Sequence, residues 1–178
     1  MKKILSGIAV ILVYLAFGPA TVHSGERQTL PINHSGDFER MKTLVGTWEG
    51  KADMGKGLET LKVIYELTSA GNAILERFAA GQPHEMVTVY YDSGGKLVMT
   101  HYCSIGNQPH MEITNPGEPT MKFVLAEKNP GVGSVNETHM HALTLTIDGK
   151  DSISHTWMLY DKGVKKSDVS IKLARVKS

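Results

Sequence analysis

The chain reads as an all-β protein, an antiparallel up-and-down barrel of about ten strands behind one short N-terminal helix. Three observations predict it. From residue 45 onward, short β-rich runs alternate with Gly, Asp, Asn and Pro. Ser93-Gly94-Gly95, Asp148-Gly149 and Lys162-Gly163 are tight reversals, which make strands that follow one another in sequence antiparallel partners. Finally, no second helical layer is written into the chain, so an apolar sheet face must stack on itself or close. Closure also removes the exposed strand edges.

The elements follow in order. Lys2 and Lys3 precede an apolar run over 4–17, and Val22-His23-Ser24 places compact residues where signal peptidase reads. Residues 1–24 are therefore expected to be a signal peptide and the mature protein to be periplasmic or secreted. The run is too short for a hydrocarbon core of about 30 Å, and no other run approaches the required length of about 20 residues, so no stable membrane insertion is expected. Residues 25–35 lack periodicity and read as a flexible leader, with the barrel domain over 36–178. Asp37 can cap a short helix in which Phe38, Met41 and Leu44 form one apolar stripe, stopped by Gly46. Strands are expected over 45–52, 59–68, 72–80, 84–92, 96–105, 109–114, 120–127, 137–147, 152–160 and 167–176.

Alternation assigns the inside. Leu97, Met99, His101, Cys103 and Ile105 oppose Lys96, Thr100 and Ser104. His139, His141, Leu143, Leu145 and Ile147 oppose Thr138, Thr144 and Thr146, while Ile153, His155, Trp157 and Leu159 oppose Ser152, Ser154 and Thr156. Odd positions point inward in all three strands. A two-residue turn at Asp148-Gly149 would pair odd with even residues, so keeping both odd faces inside demands a bulge or another loop length.

Charge and composition narrow the function. With 41% hydrophobic and 21% charged residues, the chain is neither disordered nor a multi-span membrane protein. Of its 19 basic residues two, Lys2 and Lys3, and none of its 18 acidic ones lie in residues 1–24, so the net charge of +1 becomes −1 without them. Such a chain lacks the electrostatic attraction that holds a phosphate backbone, and no nucleic-acid partner is expected. The single cysteine, Cys103, excludes an intramolecular disulfide, and stability must come from a core. No Gly-x-Ser-x-Gly, His-Glu-x-x-His, Cys-x-x-Cys, phosphate-binding loop or dinucleotide fingerprint points to an enzyme. The sequence carries no signal for oligomeric state.

Gly46-Thr47-Trp48-Glu49-Gly50, after a short helix and at the first strand, resembles the Gly-x-Trp signature of lipocalins and the wider calycin superfamily. That resemblance implies that Trp48 plugs the closed end of the barrel and that Arg175, on the last strand, lies across its face. Residues 38–176 are similar to a bacterial lipocalin-like family of unknown function, through His101-Tyr102-Cys103, Gly106-Asn107-Gln108-Pro109, His139-Met140-His141 and Trp157. The opening also resembles nitrobindin-like barrels, in which a His near the end of the chain holds haem. The last strand here, Ser167-Asp168-Val169-Ser170-Ile171-Lys172-Leu173, has no histidine, so a haem ligand would have to come from another strand.

The histidines carry the remaining chemistry. His139 and His141, two apart on a strand, lie about 6.5–7 Å apart on one face. His155 shares their parity on the next strand, and His101 with Cys103 repeats the spacing. Two histidines from one strand and a third from another would form an open zinc set, with Glu137 as a fourth or outer group. The same residues also read as polar lumen groups that bond water or a ligand, and Cys103 as a small buried hydrophobe. Residues 106–119 read either as a simple turn or as a rim of the barrel mouth, with the Asn107 and Gln108 amides fixing a ligand. His34, His84 and His110 read as surface or rim residues.

The leading expectation is an exported barrel holding a small, largely apolar molecule. Its walls are Met99, Leu143, Leu145, Trp157 and Leu159, and His101, Cys103, Asn107, Gln108, His139, His141 and His155 complete the site. The alternative is a metal- or haem-binding barrel, a hydrolase or lyase, using His139, His141 and His155 or His101. A third reading is an exported partner-binding protein with a solid core.

Overall fold

The computed structural model describes residues 33–53 and 57–177. The expected signal peptide and most of the leader lie outside the described residues. Helix α1 (Gly36–Lys42) precedes β1 (Gly46–Asp53), β2 (Leu58–Thr68), β3 (Ala73–Phe78), β4 (Met86–Ser93) and β5 (Lys96–Tyr102). β6 (His110–Ile113), β7 (Thr120–Leu125), β8 (His139–Gly149), β9 (Ser152–Asp161) and β10 (Val164–Arg175) complete the sheet. Every neighbour is antiparallel, and β10 returns to β1 to close a ten-stranded barrel.

The closing seam explains the glycines of the opening motif. Trp48 pairs with Arg175, and Gly50 pairs with Leu173. A Cβ on Gly50 would stand 2.2 Å from the Lys172 carbonyl oxygen, so a side chain there would force the seam apart. Gly46 has φ +131° and lies 3.0 Å, measured from an ideal Cβ, from Arg175 Nη1. The Arg175 guanidinium sits 4.1 Å above the Trp48 ring and donates to the carbonyls of Val45, Thr43 and Lys150. Trp48 is fully buried and donates through its indole N–H to the Leu44 carbonyl. One cation thus ties the exit of α1 to the last strand and to the β8–β9 turn.

α1 plugs this end with Phe38, Met41 and Leu44, all buried. Its cap differs from expectation. Ser35 is the N-cap and accepts from the Phe38 amide, while its own amide and hydroxyl donate to Asp92. Asp37 is instead buried and pairs with Arg40 and the Gly117 amide. Residues 33–35 therefore belong to the fold rather than to a free leader, and His34 stacks on Phe38 at 4.2 Å.

Strand parity decides what reaches the interior. On β5, Leu97, Met99 and His101 are buried. Ile105 is 51% exposed, because the strand ends at Tyr102 and residue 105 lies in the following turn. On β9, Ile153, His155 and Trp157 are buried. A bulge at Asp148 lets Ile147 pair with Ile153 and Gly149 with Ser152, so odd residues face inward on both strands. A second bulge, at His141, has no counterpart in the sequence expectation. Beyond it Met140 pairs with Leu159, and His139 pairs with Tyr160. An extra residue reverses parity, so Met140 takes the inward place assigned to its neighbours.

Candidate functional site

The end of the barrel opposite α1 holds a small chamber of about 20 Å³, lined by Phe78, Met86, His101, Met140, Trp157, Val169 and Ile171. Six of these seven side chains are apolar. The seventh, His101, lies with its ring centroid 4.6 Å from that of Trp157. His101 Nδ1 is 2.9 Å from Thr88 Oγ1, whereas Nε2 is buried without a hydrogen-bond partner among the described residues. Burial holds this imidazole down to about pKa 4, so it is neutral at neutral pH.

Behind His101 runs a buried polar chain. The Thr88 hydroxyl also interacts with Tyr90, and the Tyr90 hydroxyl donates to Glu76 Oε2 at 2.5 Å. In the tautomer that carries its hydrogen on Nδ1, His101 donates to Thr88 and its Nε2 lone pair is bare. Glu76 lies among other buried groups. Tyr65 is hydrogen-bonded to His155 Nε2 at 2.9 Å, and His155 Nδ1 is 3.9 Å from Glu76 Oε1. Burial raises the Glu76 carboxyl to about 7 and lowers His155 to about 4. The contact therefore joins a neutral imidazole to a carboxyl that titrates near neutrality.

Sequence reasoning missed Glu76, Thr88 and Tyr90. Their signal was available: Ile74, Glu76 and Phe78 share a parity, as do Met86, Thr88 and Tyr90, and all six are buried. A carboxylate on an otherwise apolar face is rare enough to mark a partner.

Several expected site residues are placed elsewhere. Met99, Leu143 and Leu145 are fully buried in the packed core, so of the expected wall only Trp157 lines the chamber. Leu159 is half-buried opposite Met140. Phe78, Met86, Met140, Val169 and Ile171 take the other places. Met140 was hidden by the bulge, and Phe78 and Met86 by the turn between them.

The triad of His139, His141 and His155 does not assemble. The bulge turns His139 and His141 to the side of Tyr160, where His141 stacks on that ring at 3.9 Å. His139 Nε2 and His141 Nδ1 are 3.2 Å apart, and His139 Nδ1 donates to the Glu137 carbonyl at 2.6 Å. His155 pairs instead with Leu145, four positions further along β8, or about 13 Å. Among the described residues no three of His, Cys, Asp and Glu converge on a common point. Haem, with dozens of heavy atoms, is many times larger than this chamber of about 20 Å³.

The expected rim is divided by β6. The links 103–109 and 114–119 lie at opposite ends of the barrel, the second against α1 through Gly117 and Asp37. Asn107 is buried and uses its amide hydrogens on Glu137 Oε1 and the Thr138 carbonyl, joining the β5–β6 and β7–β8 links. Gln108 faces an outer groove beside Tyr91, Tyr102 and His110, and its side chain donates to the Gly106 carbonyl. Cys103 is a buried thiol 3.8 Å from Met86 Sδ, its pKa raised by burial. His84 lies 3.5 Å from Glu59, and His110 Nδ1 lies 3.2 Å from Thr100 Oγ1.

Fold and site together define a closed antiparallel barrel, plugged by a helix at one end and holding a small apolar chamber with one free imidazole nitrogen at the other. No family profile matches the chain, and no curated protein matches it either. Among solved structures it is similar to Rv2717c from M. tuberculosis, with TM-score 0.52 and 13% identity over 82% of this chain and 100% of that one. It is also similar to a protein of unknown function from the DUF3598 family of Nostoc punctiforme, with TM-score 0.52 and 12% identity over 76% of this chain. The match spans 49%, about half, of that second protein. At these identities the likeness is one of fold alone.

Proposed function

We propose that this protein is an exported, calycin-like binding barrel whose chamber under the open end takes a small, largely apolar molecule, with His101 as the polar anchor. The observation that carries the reading is His101 Nε2, a polar atom buried among apolar side chains with no hydrogen-bond partner among the described residues, and an acceptor in the tautomer protonated at Nδ1. Leaving such a group unpaired costs about 1–3 kcal/mol, which a ligand carrying one donor relieves. The chamber of about 20 Å³ is small, but Met86 and Met140 line it, and unbranched thioether chains refit around a guest. The apolar run behind Lys2 and Lys3 supports export.

Phenol and toluene, alike in shape, differ in the donor. Calorimetry should give phenol at least tenfold tighter binding than toluene, and His101→Phe should abolish the preference. Equal affinities, or no saturable binding of either, would contradict the anchor. Export is checked by N-terminal sequencing of protein recovered from the native host: a start after Ser24 supports it, and a chain that still begins at Met1 removes it.

A further inference from the structure

Two of the seven residues that line the chamber, Met86 and Met140, are thioethers. Met86 and Met140 both face it beside His101, and Cys103 Sγ lies 3.8 Å from Met86 Sδ. His101 Nδ1 is engaged by Thr88 Oγ1 at 2.9 Å, and the buried Nε2 has no hydrogen-bond partner among the described residues. We propose that this chamber is a binding site for a soft monovalent metal ion, Cu(I), held by His101 Nε2 and the thioethers of Met86 and Met140. The proposal rests on reading the chamber as the ligand site, and assigns it a second class of guest.

The donor set selects the ion. Thioether and imidazole suit Cu(I), whereas Ca²⁺ and Mg²⁺ demand oxygen, and none of the seven lining side chains supplies a carboxylate or carbonyl oxygen. Zinc sites are built from thiolate, imidazole and carboxylate rather than thioether. A space of about 20 Å³ accommodates one water-sized body, which is also the room that a single dehydrated ion needs. The Thr88 hydroxyl, 2.9 Å from Nδ1, orients the ring and can accept from Nδ1–H when Nε2 holds a metal, the usual support of a ligating histidine. Binding requires no proton to leave and no electron to move: Nε2 and both sulfurs donate lone pairs, and the metal enters and stays as Cu(I). The rival pair, His139 and His141, is bonded to itself at 3.2 Å and lies on the side of Tyr160.

The test is anaerobic titration of the purified protein with Cu(I) against a chromogenic chelator. One Cu(I) per chain is expected, with at least a tenfold loss of affinity in Met86→Leu/Met140→Leu, which keeps the chamber apolar and nearly the same volume. His101→Phe should lose as much, and His141→Gln should change nothing. A second readout does not depend on the folding of any variant: in wild-type protein carrying ¹³C-methyl methionine, Ag(I), a redox-inert stand-in, should move the Met86 and Met140 signals ahead of Met41, Met99, Met111 and Met121. Unchanged affinity in the double variant, loss with His141→Gln alone, or unmoved Met86 and Met140 methyls would overturn the proposal. Phenol binding by the wild type separates the two readings. If phenol binds and Cu(I) does not, the metal assignment alone falls; if neither binds, the chamber is not a ligand site.

Discussion

At the scale of single residues, the interior is governed by three buried titratable groups. Glu76 keeps its proton to about pH 7 in the folded chain, against an ordinary value of 4.5. The folded state therefore binds more protons than the unfolded one between these values. This contribution is complete below about pH 4.5 and is lost as pH rises through about 7. His101 and His155, lowered from 6.5 to about 4, act in the opposite sense: their contribution is present above about pH 6.5 and lost as pH falls through about 4. Two opposing one give a stability maximum near pH 6.5, with a decline just above it. Glu76→Gln, which keeps an acceptor for Tyr90 but cannot ionise, should remove the decline. Urea unfolding at about pH 5 and about pH 8 should show the variant gaining on wild type by on the order of 3 kcal/mol. A difference that does not change with pH would contradict a neutral buried carboxyl.

The same scale shows how sequence reading succeeds and fails. His101 and Trp157 could be placed inside from alternation alone, because each lies on a strand whose polar partners are regular. The surroundings of His139 and His141 could not be read, because one inserted residue shifts the register and no residue type announces it: His139 is fully buried and His141 half-buried, both beside Tyr160. The expected odd-parity rule holds for Leu143 and Leu145 and stops at the bulge.

At the scale of elements, strands were more legible than their connections. The ten runs and the reversals at Gly94-Gly95 and Gly163 were visible as β-rich segments with turn residues between them. Requiring both flanking strands to bury odd residues demanded a bulge or another loop length near Asp148-Gly149, and the chain has a bulge at Asp148. What was not legible was which end of the barrel each link reaches, since β6 is only four residues long and divides one Pro- and Gly-rich stretch in two. Asn107 matters here as a strut. It donates to Glu137 and Thr138, and the Gln108 amide donates to the Gly131 carbonyl at 2.9 Å. Gly131 has no room for a side chain, since a Cβ would meet the Gln108 carbonyl oxygen at 1.9 Å. Asn107→Ala should cost about 1–3 kcal/mol. Amide exchange should speed up at Gln108 and stay as in wild type at Leu44, near the helix plug. Equal acceleration at both would mean that the barrel loosens as a whole and that Asn107 is no local strut.

At the scale of the whole molecule, the barrel is asymmetric along its axis. The α1 end is sealed by Phe38, Met41, Leu44 and Trp48 under the Arg175 guanidinium, and the middle is filled by side chains such as Met99, Phe123 and Leu143. Under the other end, a small chamber and the unpartnered Nε2 of His101 coincide. Closure, the plug and the seam were legible from Gly46-Thr47-Trp48 and the position of Arg175. The chamber was not, because three of its walls come from strand ends next to turns or a bulge. Titration of methyl-labelled protein with phenol, followed by NMR, shows directly whether the chamber takes a guest. Saturable shifts confined to Met86, Met140, Val169 and Ile171, with Met41 and Met121 unmoved, are expected of a guest in the chamber. Shifts concentrated near Met41 at the plugged end, or spread evenly over the core, would contradict it.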